Sequence, residues 1–136
     1  MTATETRSVV IEREVPFPPE KIWRAITEPH LIEEWLMKND FEPAVDHRFT
    51  LRGDWGSVDC QVLTVEPHRL LSYSWTAMGL GTVVTMTLEP TGAGTRLRVE
   101  QSGFLPGTDN DRYYQGAQYG WQGFLGKLEQ VLGRID

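Results

Sequence analysis

Short runs in which apolar and polar residues alternate recur along the chain, and they predict a β-sheet. Residues 9–15 begin the series, with the odd-numbered positions on one face of an extended strand. The predicted strands are 9–15, 47–52, 57–66, 70–76, 82–89 and 94–100. Short turns rich in glycine and proline separate the later runs, which is typical of an antiparallel meander. The alternation breaks at Val62-Leu63, which suggests a bulge.

Helical spacing replaces this alternation in two parts of the chain. Between the first two predicted strands, Pro18-Pro19 and Pro29 mark the starts of two short helices, whose apolar sides include Trp23 and Trp35. A long helix from about residue 109 to 132 then closes the chain, because apolar residues recur there at spacings of three and four. These residues are Ala117, Trp121, Phe124, Leu128 and Val131.

Four glycines are interspersed in the long helix, at positions 116, 120, 123 and 126. Each one costs about 1 kcal/mol of helix stability relative to alanine, so packing against the rest of the protein must hold the helix. We expect this helix alone to cover the apolar face of the sheet, to lie close across it, and to leave some room beside it. The order of elements predicts an α+β fold with about six strands.

Composition and charge narrow the class of protein. The 136 residues carry a formal net charge of −6, which disfavours binding of nucleic acid or an anionic membrane over a broad face. Length and composition fit one domain, 1–136, with a core from about 8 to 132. We expect a cytoplasmic protein without membrane insertion, since no apolar run reaches the length of a span and no signal peptide opens the chain. The single cysteine, Cys60, fits a reducing compartment.

Residues that carry chemistry are few and scattered. His30, His47 and His68 have no metal-ligand spacing among themselves or with Cys60, so the sequence predicts no metal site. A lone cysteine in mid-strand, such as Cys60, is usually a small buried hydrophobic residue. The pair Glu33-Glu34 is typical of a solvated helix face rather than of an acid–base pair. We therefore predict no catalytic residue and no cofactor.

An ordered series of motifs covers the chain from about residue 8 to 132. The series comprises Pro18-Pro19-Glu20-Lys21-Ile22-Trp23, Trp35, Pro67-His68-Arg69-Leu70-Leu71-Ser72-Tyr73-Ser74-Trp75, Gly94-Thr95-Arg96-Leu97, Ser102-Gly103-Phe104 and Gly120-Trp121. It resembles the START-like (SRPBCC) superfamily, and within it the proteins related to the activator of the heat-shock chaperone ATPase. The resemblance implies a helix-grip fold, a curved antiparallel sheet wrapped on the C-terminal helix. One departure is Asp46-His47, where relatives often carry paired glycines.

The resemblance also implies a cavity between the sheet and the terminal helix, which in the wider superfamily binds lipids, hormones or polyketide-like molecules. Large side chains on inward faces are candidates to line it, although the same residues could simply fill a core. These candidates are Trp35, Phe49, Tyr73, Trp75, Met86, Tyr119, Trp121 and Phe124. Two polar residues, Arg13 and Gln101, also fall on inward faces. Arg13 has two alternative partners, a carboxylate ligand in the cavity or a surface glutamate.

The functional hypothesis that follows is binding of a small apolar or amphipathic molecule in this cavity, with Tyr113 and Tyr114 as candidates to gate an opening. The first alternative is a protein-interaction module of the chaperone-activator kind, which predicts an exposed apolar patch and a filled interior. The second is an enzyme of the cyclase or aromatase kind, which requires an ionisable pair inside the cavity.

Overall fold

The computed structural model describes residues 7–54, 56–77, 79–105 and 108–135, apart from the side chains of residues 108–110. Strand β1 (Arg7–Val15) leads into helices α1 (Pro19–Thr27) and α2 (Pro29–Trp35). Strands β2 to β7 then follow at Lys38–Asn39, Arg48–Gly53, Gly56–Glu66, Leu70–Ala77, Leu80–Pro90 and Thr95–Phe104. Helix α3 (Thr108–Arg134) closes the described chain.

The strands form one antiparallel sheet in the order β1-β7-β6-β5-β4-β3-β2. The predicted α+β helix-grip fold is therefore confirmed, with seven strands in the described chain where the sequence predicted about six. The additional strand, β2, has two residues between the second predicted helix and the second predicted strand. Two residues are too few to show alternation, so only pairing with β3 identifies them as a strand.

Irregularities in the sheet fall where the sequence departs from simple alternation. The register of β4 against β5 shifts between Val62 and Thr64, which confirms the predicted bulge, and Leu63 points outward at 42% exposure. A second shift lies opposite Gly103, whose φ of 100° is in the region that favours glycine. Asp46 also has a positive φ, of 72°. It adopts a glycine-like conformation, which aspartate tolerates better than most residues.

The core lies between the sheet and all three helices, so the expectation that α3 alone covers the sheet is wrong. Ile22 in α1 and Leu31 in α2 are buried in the same apolar cluster as Leu128 in α3. The two short helices are joined by Trp35, whose indole N–H donates to the Ala25 carbonyl oxygen at 2.8 Å. Short helices can cover the sheet because two of them, side by side, present a continuous apolar surface.

Candidate functional site

A cavity of about 670 Å³ opens between the central strands and the first half of α3. This volume is within the range of small-molecule sites, roughly 300 to 1,000 Å³. The described residues that line it are Met37, Trp75, Leu80, Gln101, Arg112, Tyr113, Gly116, Ala117, Gly120, Trp121 and Phe124. Six of the eleven, from Tyr113 to Phe124, lie along one side of α3, and each has another of the six three or four residues away.

The glycines of this face provide space for the cavity. A Cβ atom added at Gly116 would meet no atom within 4 Å, and one at Gly120 would meet only the Phe124 ring at 3.9 Å. Neither glycine is therefore needed for close packing of helix on sheet. The expectation that small residues bring α3 close across the sheet is wrong here, because these residues face open space.

Aromatic rings form the deeper wall. The Trp75 and Trp121 ring centroids are 5.6 Å apart with the planes tilted by 52°, and Phe124 meets Trp121 edge to face at the same separation. Trp75 and Trp121 are both more than nine-tenths buried. Such a set gives a ligand large apolar contact with little side-chain entropy left to lose.

A chain of hydrogen bonds fixes the orientation of these rings. The Trp121 indole N–H donates to Gln101 Oε1 at 2.7 Å, and Gln101 Nε2 donates to Thr82 Oγ1 at 2.8 Å. The Thr82 hydroxyl in turn donates to the Trp75 carbonyl oxygen at 3.0 Å. Gln101 is only 1% exposed, so these hydrogen bonds lie in the protein's interior although Gln101 lines the cavity. A buried amide of this kind is tolerated because its partners satisfy it.

The two tyrosines at the start of α3 make different contacts. Tyr113 lines the cavity and accepts a hydrogen bond from the Trp75 indole N–H at 3.0 Å. Burial raises the pKa of the Tyr113 hydroxyl, although the bond from Trp75 opposes the shift. Tyr114 instead lies against β1, where its hydroxyl donates to the Ser8 carbonyl oxygen at 3.3 Å and its ring packs under the Arg7 guanidinium.

The structure brings four of the ten predicted site residues to the cavity: Trp75, Gln101, Trp121 and Phe124. Phe49 and Tyr73 lie instead in a packed cluster with Phe41, at centroid separations of 5.0 to 6.4 Å. Met86 is 1% exposed within the core, and Trp35 links the two short helices through its hydrogen bond to the Ala25 carbonyl oxygen. These side chains do face inward, but over a part of the sheet where the interior is filled.

Arg13 and Tyr119 are also outside the cavity lining. Arg13 donates to Glu129 at 3.0 Å and to the Gln122 carbonyl oxygen at 3.2 Å. Its partner is therefore a glutamate of the protein, the second of the two alternatives that the sequence left open. It does not approach Gln101, because the strand register places Arg13 opposite Leu97. Tyr119 is 86% exposed. Its position along α3 differs by about a third of a turn from the residues of the lining face.

Several lining residues were not among the sequence candidates. They are Met37, Leu80, Arg112, Gly116, Ala117 and Gly120, whereas Tyr113 was a candidate to gate an opening. Helical spacing could have found Gly116 and Gly120, since they lie four residues apart and Gly120 lies four residues before Phe124. No pattern in the sequence singles out Arg112 or Leu80.

Cys60 lies outside the cavity lining and is buried in the core. Burial raises the pKa of its thiol from 9.0 to about 12, and the nearby charges of Asp59 and Asp40 act in the same direction. The thiol therefore stays protonated at neutral pH, which makes it a poor nucleophile. Within the described residues, no cluster of three or more metal-ligating side chains occurs, and no helix is long and apolar enough to cross a membrane.

The sheet, the two short helices and the long C-terminal helix define a helix-grip protein of the START-like kind. Residues 16–133 match the model of the family described as activator of Hsp90 ATPase homolog 1-like protein. Because this match covers most of the chain, the protein belongs to that family. Among curated proteins, none matches this chain.

Solved structures of similar proteins share the fold over nearly the whole chain. Protein MLL2253 from Mesorhizobium loti is 58% identical, with a TM-score of 0.91 over 96% of this chain and 99% of that one. DynU16, a putative protein in the dynemicin biosynthetic locus, is 26% identical with a TM-score of 0.83, over 93% of this chain and 47% of that one. CalU16 from Micromonospora echinospora is 26% identical with a TM-score of 0.80, over 93% and 74%.

Proposed function

We propose that this protein binds a small apolar or amphipathic molecule in the cavity between the sheet and α3. The observation that carries the proposal is a space of about 670 Å³ whose walls include Trp75, Trp121 and Phe124. Aromatic walls with a few placed polar groups are the usual composition of small-molecule sites. Membership of a family with the helix-grip fold is compatible with this role but does not by itself assign a function.

The position of the glycines supports the same proposal. Two residues without side chains face the cavity on adjacent turns of α3, at about 1 kcal/mol of helix stability each. Alanine at Gly116 would meet no neighbouring atom and would stabilise the helix. Glycine at position 116 therefore leaves space in the cavity at a cost in helix stability, which is compatible with a bound ligand.

The two alternatives have less support in the described residues. An interaction module predicts a filled interior, whereas the described residues border a space of about 670 Å³. A cyclase-type enzyme needs a proton acceptor inside the cavity, and the titratable side chains in the described lining are Arg112 and Tyr113. Arginine keeps its proton in proteins, and the Tyr113 hydroxyl has a raised pKa.

A thermal-shift screen against fatty acids, flavonoids, polyketides and sterols tests the proposal, with native mass spectrometry of the purified protein alongside. A ligand that binds only the folded state raises the melting temperature with concentration. The Gly116→Leu variant should abolish this shift by filling the cavity, while its own melting temperature stays at or above that of the wild type.

Gly123→Leu is the matched control for this variant. Gly123 lies on the same helix, has equally open surroundings and does not line the cavity. Its replacement should improve helix propensity to the same degree and leave the ligand-induced shift intact. An unchanged shift in Gly116→Leu would place binding elsewhere on the molecule. No shift with any compound and no co-purified molecule would count against the proposal and direct the search to protein partners.

A further inference from the structure

The polar groups of the cavity constrain the chemistry of its occupant, given the proposed function. Both indole N–H groups of the wall are already used, since Trp75 donates to the Tyr113 hydroxyl and Trp121 donates to Gln101. Gln101 uses its carbonyl oxygen for Trp121 and an N–H for Thr82. The two tryptophans therefore offer a ligand their ring surfaces and no hydrogen bond.

The groups at the mouth of the cavity that remain free to bond a ligand are hydrogen-bond donors. The Tyr113 oxygen accepts from Trp75, and its own O–H has no acceptor among the described residues. Arg112, in the turn of α3 next to it, forms no hydrogen bond or ion pair with any described residue. The neighbouring carboxylate of Asp111 is paired with Arg7 instead.

Arg112 is also the sole charged side chain in the described part of the lining. A guanidinium presents its N–H groups in a planar fork that matches the two oxygens of a carboxylate. The protein has a formal net charge of −6, so an arginine that has no partner among the described residues gives the edge of the apolar cavity a local positive charge. It gives the site one preferred ligand orientation, with the anionic group outward and the apolar body inward.

We propose that the natural occupant is a monoanionic aromatic acid. Its carboxylate meets the Arg112 guanidinium and the Tyr113 hydroxyl at the mouth, and its ring system lies against Trp75, Trp121 and Phe124. A single guanidinium fits one carboxylate, and the apolar interior admits no second charge without a large desolvation cost. The proposal deepens the proposed function and rests on it.

Three probes of nearly the same shape test the charge preference: pyrenecarboxylate, pyrenecarboxamide and pyrenemethylamine, which are anionic, neutral and cationic at neutral pH. Isothermal titration calorimetry on the full chain should give about tenfold tighter binding of the carboxylate than of the amide, as expected for one charge-assisted contact. The amine should bind most weakly of the three. Raising the salt concentration should narrow the preference, because the contact is partly exposed.

Arg112→Met should reduce the carboxylate-to-amide preference to about twofold or less. Arg48→Met is the control, since it removes the same charge from an exposed position on β3 outside the lining. Tyr113→Phe should lower carboxylate affinity by a smaller factor than Arg112→Met. Because Arg112 is exposed and unpaired among the described residues, its replacement should not impair folding.

Two results separate this inference from the function on which it rests. Equal binding of all three probes, or a carboxylate preference that survives in Arg112→Met, would overturn the inference and leave the cavity as a binding site. Failure of all three probes to bind would count against the inference and the proposed function together.

Discussion

Replacement of Gln101 by leucine tests whether the inner end of the cavity is dry. The wild-type amide accepts from the Trp121 indole at 2.7 Å and donates to Thr82 at 2.8 Å, at 1% exposure. Leucine has a similar size and can make neither bond. The variant therefore leaves the Trp121 N–H without an acceptor on a side chain that is itself 2% exposed.

A buried donor without a partner costs about 1–3 kcal/mol, and the added apolar contact of leucine offsets part of this. We expect Gln101→Leu to lower the free energy of unfolding by about 2 kcal/mol. For a chain of this length that corresponds to a fall in melting temperature of about 7 °C. Urea denaturation followed by far-ultraviolet circular dichroism measures the change without relying on tryptophan fluorescence.

Trp121→Phe completes a double-mutant cycle for this prediction. In the double variant both donor and acceptor are absent, so the penalty for the unpaired N–H disappears. The two substitutions should therefore be less destabilising together than the sum of their separate effects, by about 1–2 kcal/mol. Additive effects, or a cost of less than about 0.5 kcal/mol for Gln101→Leu, would refute the reasoning, because they would mean that water satisfies the indole N–H.

Two further predictions concern the scaffold. Gly94→Ala should lower the free energy of unfolding by about 1–3 kcal/mol, because the new Cβ would overlap the Val15 carbonyl oxygen and lie 2.9 Å from Phe17 N. Gly92→Ala meets no atom within 4 Å, so urea melts of this control should stay within about 0.5 kcal/mol of the wild type. For Cys60, the folded pKa of about 12 exceeds the ordinary 9.0, so its contribution to stability is complete below pH 9.0 and falls as the pH rises toward 12. Denaturant melts between pH 9.0 and 12 should show that the free energy of unfolding falls less steeply with pH in Cys60→Ala than in the wild type. The same pH dependence in both proteins would contradict the raised pKa of Cys60.

The strands and helices could be predicted because their signals are local. Alternation identified six of the seven strands that the described chain contains, and helical spacing identified α1, α2 and α3. Strand β2 was not predicted, because only pairing with β3 defines its two residues as a strand. The bulge at Leu63 could be predicted because one extra residue breaks the alternation of β4.

The candidate site was harder to predict because it depends on where elements cross. Tyr73 and Trp75 share a face of β5, but Tyr73 packs against Phe41 and Trp75 borders the open space. The sequence shows that both point inward and gives no information on how far α3 extends over either. The same limit applies to Arg112, whose place at the mouth depends on the position of α3 over the sheet.

The burial of α3 is uneven, and this divides the helix into two halves of different local stability. No described side chain from residue 111 to 120 is fully buried, whereas Leu125, Leu128, Val131 and Leu132 are each 1% exposed or less. Local stability follows buried contacts, so backbone amides of the first half should exchange with solvent through local opening, and those of the second half only with global unfolding. A ligand in the cavity packs against the first half of α3, where the protein itself provides few buried contacts. Protection of the backbone amides in that half from hydrogen exchange therefore reports whether a ligand occupies the cavity.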